Sequence, residues 1–274
     1  LFPSSITYIH QPTSTTFVNK QAGVDYLISN GGKNLSNEFQ TVLNTINNTN
    51  TNDHYKLLFS VDGDCDRVGE IINNQITTTT TFDNDLQIEQ NISNVQILGG
   101  EHLSILFLQC LLHLFSISQQ LLTTGFNKKY PPTSELQPVV LTDAFSIVYV
   151  QTAYSNGFAA QTIHKLYPNV DVRTACTGVK HLLEKTTDAD ISVYFEPNGH
   201  GSIILGDCFF SKLEKMCSSI QQTIEYEYIL TLWASLYNII NKYIGDGVPD
   251  ILITILSQLI LSYSPQNFST LFPL

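Results

Sequence analysis

The sequence predicts an α/β fold of two domains, each a mixed sheet flanked by helices. In the second half, apolar runs of strand length alternate with apolar runs of helix length, which is the order expected of such a fold. The 274 residues suffice for two domains, and a hydrophobic content of 43% can fill their cores. We place the boundary between the two parts near residue 93, which gives segments 1–93 and 94–274.

The first segment contains short strands separated by polar stretches. Residues 55–61 form an apolar run of β character that ends in Asp-Gly. The Asn/Thr-rich stretch at 44–52 and the five threonines at 77–81 show no apolar periodicity, so we expect loop insertions at both places. A second short apolar run at 95–98, closed by two glycines, predicts another strand.

Residues 101–122 predict a long helix in the core, because this stretch is densely apolar and much longer than a strand. A membrane span needs about 20 predominantly apolar residues in succession. Polar side chains such as Gln109, His113 and Gln119 interrupt the stretch. We therefore expect a buried helix and no membrane partner.

The second segment continues with alternating strands and helices. Strands are expected at 147–152, 171–175, 191–195 and 202–205, and helices at 158–166 and 178–185. One long helix is expected over residues 211–244, ended by Gly245. A last helix is expected over residues 249–261, with Asp246 near its start.

The balance of charge and the cysteines limit the possible functions. A net charge of −11 leaves no basic surface for phosphates along a duplex, so we expect no nucleic-acid partner. Only Arg67 and Arg173 are arginines, so few side chains could neutralise an anionic ligand. Five cysteines without a C-x-x-C pair favour a reducing compartment over a disulfide framework or a structural zinc site. No secretory signal is apparent, and we expect a cytoplasmic protein.

The sequence Asp62-Gly-Asp-Cys-Asp-Arg67, directly after the first predicted strand, places three carboxylates at alternate positions. On a turning loop such side chains can converge on one point, and three hard oxygen ligands suit Mg²⁺ or Ca²⁺. An EF-hand is excluded because its sixth and twelfth positions lack the required Gly and Glu. Asp62, Asp64 and Asp66 are therefore candidate metal ligands. Arg67 is a candidate phosphate contact, because its planar guanidinium matches two oxygens. The alternative is a solvated acidic loop.

A second candidate loop is Phe195-Glu-Pro-Asn-Gly-His-Gly201, which follows a predicted strand. Glu196 can accept hydrogen bonds from a pair of hydroxyls, and Asn198 can both donate and accept, which suits a sugar. The glycines allow the backbone to approach a ligand closely. His200 could contact the sugar or only orient the loop. The alternative is an ordinary turn between two strands.

A third candidate is the strand-to-helix turn over residues 174–181. Backbone N–H groups at the start of a helix favour an anion. Gly178 lies in this turn, and Lys180 and His181 add charge or a proton-transfer group. The alternative is a helix start with exposed basic side chains.

Together these stretches resemble the α-D-phosphohexomutase superfamily, and within it the phosphoacetylglucosamine mutase family. The segment 62–67 matches the magnesium loop D-G-D-x-D-R, and 195–201 matches the sugar loop, with Asn198 where the glucose and mannose enzymes tend to have serine. Residues 150–157, 177–181 and Gly245-Asp-Gly-Val-Pro-Asp250 are also similar to this family. The chain departs from it at Gly99-Gly-Glu101, where Asp-Gly-Asp is usual.

The resemblance implies phosphoryl transfer that interconverts N-acetylglucosamine 6-phosphate and 1-phosphate through a bisphosphate, on the route to UDP-N-acetylglucosamine. Asp62, Asp64 and Asp66 would hold one Mg²⁺, with a fourth ligand from a phosphoserine outside this chain. Arg67 and Lys180 would be catalytic. The substrate would be contacted by Gly178, His181, Glu196, Asn198 and His200.

The resemblance also implies that segments are missing. It covers part of the second domain, over 1–93, and the third domain, over 94–274, of a four-domain polypeptide. Neither the phosphoserine loop of the first domain nor the R-P-S-G-T-type loop of the fourth is found in the sequence. The only methionine is Met216, so we expect a piece of a longer protein that is inactive alone. The alternatives are a non-catalytic sugar-phosphate or metal-binding remnant and a mutase for another sugar.

Overall fold

The computed structural model describes residues 57–81, 87–125, 144–241 and 244–264, together with Leu27, Ser29 and Asn267. Over these ranges the chain forms two sheets and the helices that cover them, and the predicted α/β fold is confirmed. The loop predicted at 44–52 and the first two residues of the strand predicted at 55–61 lie outside the described residues.

The first sheet consists of three antiparallel strands in the order β1 (Leu58–Val61), β2 (Val68–Thr81) and β3 (Gln87–Leu98). β1 confirms the strand expected at 55–61 over its described part. β3 contains the run expected at 95–98 but begins earlier. The domain boundary proposed near residue 93 falls inside β3, and its placement stays a prediction.

The prediction of a loop over Thr77–Thr81 is wrong, because these five threonines form the end of β2. They pair with β3 in a continuous antiparallel register, from Thr77 opposite Asn91 to Thr81 opposite Gln87. Threonine is β-branched and therefore suited to an extended backbone. A run of one polar residue has no apolar alternation, so hydrophobic periodicity could not reveal this strand.

The long helix α1 (Gly100–Thr124) confirms the core helix predicted over 101–122. By length and composition alone it could cross a membrane, but most of the helix is buried inside the fold. Its side chains form much of the main hydrophobic core, where Leu103, Phe107 and Phe115 are fully buried. Burial on almost every face explains why its sequence is apolar without a clear helical stripe.

The second sheet has the strand order β5-β4-β6-β7. Its strands are β4 (Ile147–Thr152), β5 (Asp171–Ala175), β6 (Ile191–Phe195) and β7 (Gly201–Leu205), and the helices between them are α2 (Gly157–Leu166) and α3 (Val179–Leu183). All were predicted, although α3 is shorter than expected. β4, β5 and β6 are mutually parallel. The loops that follow these three strands therefore lie at one edge of the sheet, where α/β proteins bind ligands.

The prediction of a single helix over 211–244 is wrong. The chain instead forms α4 (Phe209–Met216), a 3-10 turn over Cys217–Ile220, and α5 (Ile224–Ile239). The break lies at Gln222, whose φ of 67° is incompatible with a continuing helix. Thr223 then caps α5, because its hydroxyl accepts a hydrogen bond from the Tyr226 N–H.

The last helix, α6 (Gly247–Leu261), confirms the helix predicted over 249–261 but begins two residues earlier. The Asp246 side chain caps it by accepting a hydrogen bond from the Val248 N–H at 3.2 Å.

The preceding helix, α5, is fixed to α1 by Trp233, which is fully buried. Its indole N–H donates to the Ser118 hydroxyl at 3.1 Å, and its ring packs against Phe115. α5 and α6 therefore both pack against α1. The N-terminus of α1 contacts the loops described below.

A buried polar pair joins the first sheet to α6. Glu70 on β2 has no solvent exposure, and its carboxylate accepts a hydrogen bond from the Gln258 side chain at 2.6 Å. Burial raises the pKa of the Glu70 carboxyl from 4.5 to about 8, because an ionised group loses its hydration there. The folded protein therefore holds this proton between pH 4.5 and about 8, whereas the unfolded chain releases it.

We expect Glu70→Gln to remove a pH dependence of stability. The Glu70 pKa is raised by folding, so its contribution to stability is fully present below about pH 4.5 and is lost as pH rises towards 8. Relative to the original protein, the variant should gain roughly 1.4 kcal/mol of unfolding free energy per pH unit in that window. Chemical denaturation at four pH values measures this gain. Parallel profiles for the two proteins would contradict the buried, protonated state of Glu70.

Candidate functional site

The acidic loop joins β1 to β2 and is closed around Asp62. One carboxylate oxygen of Asp62 accepts hydrogen bonds from the backbone N–H groups of Asp66 and Arg67, at 3.1 and 3.2 Å. The Asp62 carbonyl accepts from the Cys65 N–H at 3.2 Å. Cys65 adopts a φ of 61°, which is uncommon for a residue with a side chain. These bonds make the loop turn tightly enough for alternate side chains to face one point.

The carboxylates of Asp62, Asp64 and Asp66 converge as their spacing predicts. One oxygen from each lies within 4.8 Å of the other two. Burial raises the pKa of Asp62, and the neighbouring charges of Asp66 and Asp64 raise it further, since each disfavours another negative charge. Among the described residues no donor hydrogen-bonds to the buried Oδ1 of Asp66. Three oxygen donors with such mutual repulsion fit a hard divalent cation.

Arg67 lies beside this cluster. Its Nε is 3.5 Å from an oxygen of Asp62 and 3.6 Å from an oxygen of Asp66. About a third of its side chain is exposed, so the guanidinium can also reach an anion in solvent. The arrangement suits the predicted phosphate contact, because the Arg67 guanidinium can pair with the carboxylates and also donate hydrogen bonds to a phosphate.

The second predicted loop, over residues 196–200, connects β6 to β7. The Glu196 N–H donates to the His200 carbonyl at 2.8 Å, and the Asn198 side-chain oxygen accepts from the His200 N–H at 3.1 Å. Glu196 is buried, with 6% exposure. Asn198 therefore stabilises its own loop with its oxygen, and its Nδ2 group is the part that can donate to a ligand.

The two loops are in direct contact. The Val68 N–H at the start of β2 donates to the Gly199 carbonyl at 3.2 Å, and Arg67 and His200 form a β-bridge. His200 Nδ1 lies 3.5 Å from an oxygen of Asp66. Gly199 has a φ of 89°, and a Cβ there would lie 1.9 Å from the Val68 carbonyl oxygen, so only glycine fits. The acidic loop and the loop over residues 196–200 therefore lie side by side in the fold.

The third predicted stretch reaches this site through its backbone. The Gly178 N–H donates to an oxygen of Glu196 at 2.9 Å, so the turn after β5 touches the loop after β6. The other two predicted residues lie further along α3. His181 Nδ1 lies 3.3 Å from an oxygen of Glu184, the residue that follows α3, and the Lys180 side chain is exposed. The structure does not bring Lys180 or His181 to the aspartates, and their roles stay predictions.

Two glycine segments that contact the candidate loops were not predicted as site residues. At the start of α1, the Gly100 N–H donates to the Pro197 carbonyl at 3.1 Å, and a Cβ on Gly100 would lie 2.0 Å from the Glu196 carbonyl oxygen. At the start of α6, the Gly247 N–H donates to the Cys65 carbonyl at 2.7 Å. The sequence signal was present, because both segments carry closely spaced glycines next to a helix start.

Comparison with known proteins points to one family. A family profile described as "Phosphoacetylglucosamine mutase AMG1, domain III" matches residues 129–263. The phosphoacetylglucosamine mutase of Candida albicans is 28% identical over 272 residues, which cover 95% of this chain and 40% of that protein. The enzyme of the same name from Arabidopsis thaliana is 35% identical over 127 residues, which cover 45% of this chain and 22% of that protein.

Solved structures of N-acetylglucosamine-phosphate mutases share the fold of this chain. The apo crystal structure of an N-acetylglucosamine-phosphate mutase, a member of the α-D-phosphohexomutase superfamily, superimposes with a TM-score of 0.56 and 25% identity. This match covers 91% of our chain and 43% of that one. The Aspergillus fumigatus enzyme in complex with GlcNAc-6P and magnesium gives 0.55 at 20% identity, over 92% of our chain and 37% of that one.

The fold is that of part of an α-D-phosphohexomutase. More narrowly, the chain belongs to the phosphoacetylglucosamine mutase family, as a partial member that includes the domain III region. It spans about 40% of the length of the C. albicans relative and less of the A. thaliana relative.

Proposed function

We propose that this chain supplies the metal-binding and sugar-binding half of a phosphoacetylglucosamine mutase active site. The complete enzyme would interconvert N-acetylglucosamine 6-phosphate and 1-phosphate through a bisphosphate, for UDP-N-acetylglucosamine synthesis in the cytoplasm. The observation that carries the proposal is the contact between the two loops, through the Arg67–His200 bridge and the Val68–Gly199 hydrogen bond. Phosphoryl transfer requires the sugar and the charge-neutralising groups in one place. The names of the relatives support this substrate.

In the proposal the three aspartates and Arg67 have different roles. Asp62, Asp64 and Asp66 would hold one Mg²⁺, with its fourth ligand from a phosphoserine outside this chain. When bound, the ion neutralises negative charge on the phosphoryl group being transferred. Arg67 would bind the equatorial phosphoryl oxygens, and its pairing with Asp62 and Asp66 holds the guanidinium in position. Arg67 thus bridges the metal ligands and the substrate phosphate.

The sugar loop would orient the substrate through two polar groups. One oxygen of Glu196 is held by the Gly178 N–H, so the carboxylate has a fixed orientation and its other oxygen can accept from sugar hydroxyls. The Asn198 amide can donate to a ring substituent. Such a pair can present either end of the sugar to the metal, which a reaction through a bisphosphate requires. Gly178, His200, His181 and Lys180 complete the proposed substrate contacts.

The sugar-binding role is tested by Glu196→Gln. The carboxylate should form charge-assisted hydrogen bonds to sugar hydroxyls, so the variant should bind N-acetylglucosamine 6-phosphate roughly tenfold more weakly. NMR titration of the 274-residue chain measures this affinity in the presence of Mg²⁺. Glu214→Gln, on the exposed face of α4, is the matched control and should bind as the original chain does. Equal binding by all three proteins would contradict the proposed role of Glu196.

The second candidate function, a mutase for another sugar, is tested by the same titration. Asn198 favours the N-acetylated substrate, since the resemblance placed serine at this position in the glucose and mannose enzymes. We expect tighter binding of N-acetylglucosamine 6-phosphate than of glucose 6-phosphate. Tighter binding of glucose 6-phosphate would favour the other specificity and leave the phosphohexomutase chemistry unchanged.

A further inference from the structure

We propose that the segment Gly245-Asp246-Gly247, at the start of α6, is a positioning element in which each glycine holds one of the two functional loops. The roles of the two loops, in metal binding and in sugar binding, rest on the proposed function. The contacts that the two glycines make with the loops do not depend on it. Gly247 serves the metal loop and Gly245 serves the sugar loop, so the two effects should be separable.

Gly247 is packed against the backbone of the metal loop. Its N–H donates to the Cys65 carbonyl at 2.7 Å. A Cβ on Gly247 would lie 3.1 Å from that oxygen and 3.3 Å from the Arg67 carbonyl oxygen. Both oxygens are backbone atoms of the acidic loop: Cys65 lies between Asp64 and Asp66, and Arg67 follows Asp66. An added methyl group would therefore move the acidic loop by a few tenths of an ångström.

Gly245 is packed against the sugar loop. A Cβ on Gly245 would lie 2.4 Å from Cδ2 and 2.8 Å from Nε2 of the His200 ring, and 3.2 Å from the Gly201 carbonyl oxygen. The His200 ring must move if Gly245 gains a side chain. His200 is also the residue whose Nδ1 lies near Asp66 and whose backbone closes the loop with Glu196.

The segment cannot easily retreat from these contacts. Asp246 caps α6 through the Val248 N–H and accepts a hydrogen bond from the Asn241 side chain at 3.3 Å. Further along α6, Gln258 is bonded to the buried Glu70 on β2. The helix is therefore anchored to the strand that leaves the metal loop. Neither Gly245 nor Gly247 has a positive φ, so alanine can adopt both backbone conformations and the cost is steric.

The experiment compares Gly247→Ala, Gly245→Ala and Gly157→Ala in the 274-residue chain. Gly157 is the matched control, because an added Cβ there meets nothing within 4 Å. Mn²⁺ affinity is measured by electron paramagnetic resonance, and N-acetylglucosamine 6-phosphate affinity by NMR without metal. Gly247→Ala should weaken Mn²⁺ binding about tenfold, as loss of outer support for a metal site does. It should leave sugar-phosphate binding unchanged. Gly245→Ala should weaken sugar-phosphate binding about tenfold and Mn²⁺ binding by a smaller factor, because the His200 ring that it displaces lies 3.5 Å from Asp66. The control should show neither effect.

Hydrogen exchange provides a readout that needs no ligand. Gly247→Ala should speed exchange of the Asp66 and Arg67 amides, which are bonded to Asp62. Gly245→Ala should speed exchange of the Val68 amide, which is bonded to Gly199. Equal losses of both ligands in both variants, or unchanged exchange at these amides, would overturn the proposal. If the original chain binds no sugar phosphate, the proposed function fails, while the Mn²⁺ and exchange results still decide this one.

Discussion

Asp64→Asn should remove most of the affinity of this chain for Mg²⁺. Asp64 is the exposed member of the three-aspartate cluster. Asp62 is held by loop amides, and Asp66 lies beside Arg67 and His200. The change therefore removes one anionic ligand without breaking the bonds that shape the loop. A hard cation bound by three carboxylates should lose at least about tenfold in affinity. Calorimetric titration with Mg²⁺ measures the loss.

The control for this prediction is Asp207→Asn, which removes the same charge from an exposed position after β7. It should leave Mg²⁺ affinity unchanged, which separates a specific site from general attraction to an acidic protein. Affinity in the original chain should also fall as pH decreases, because the pKa of Asp62 is raised by burial and by its acidic neighbours. Unchanged binding by Asp64→Asn would show that the acidic loop holds no metal.

The regular elements of the second sheet could be predicted because each depends on local patterns. β4 and β6 are mostly apolar runs of six and five residues bounded by polar turns, and the structure has both where the sequence places them. The errors occurred where local pattern carries no information. Five threonines extend β2 because β3 pairs with them, and the helix breaks at Gln222 without a proline or glycine to indicate it.

The convergence of the three aspartates could also be predicted, but the backbone contacts between the two loops could not. Alternate aspartates indicate a metal loop because spacing and residue type are local properties. The joining of that loop to Gly199 depends on backbone hydrogen bonds between positions more than a hundred residues apart. Backbone groups leave no trace in side-chain identity. The only signal is a glycine where another backbone approaches closely, as at Gly100 and Gly199.

The 274-residue chain alone should show no mutase turnover. The reaction proposed for the family begins with transfer from a phosphoserine, and the sequence contains no loop of that type. The residues of this chain could bind the metal and orient the sugar, but they hold no group that could donate a phosphoryl group. Precise positioning does not replace a missing covalent donor. We expect a loss of at least about a million-fold relative to a full-length phosphoacetylglucosamine mutase, which removes the acceleration that an enzyme of this class provides.

The assay follows conversion of N-acetylglucosamine 6-phosphate to the 1-phosphate with Mg²⁺ and a bisphosphate activator, with a full-length family enzyme as the positive control. Metal titration of the same preparation shows that the acidic loop is intact, so that inactivity cannot be assigned to misfolding. Joining the chain to the segments that carry the phosphoserine loop and the second phosphate-binding loop should restore turnover. If Asp64→Asn then abolishes the restored activity, the aspartate cluster serves the phosphoryl transfer itself. Turnover by the 274 residues alone would instead place the phosphoryl donor within this chain, among serines to which we have assigned no role.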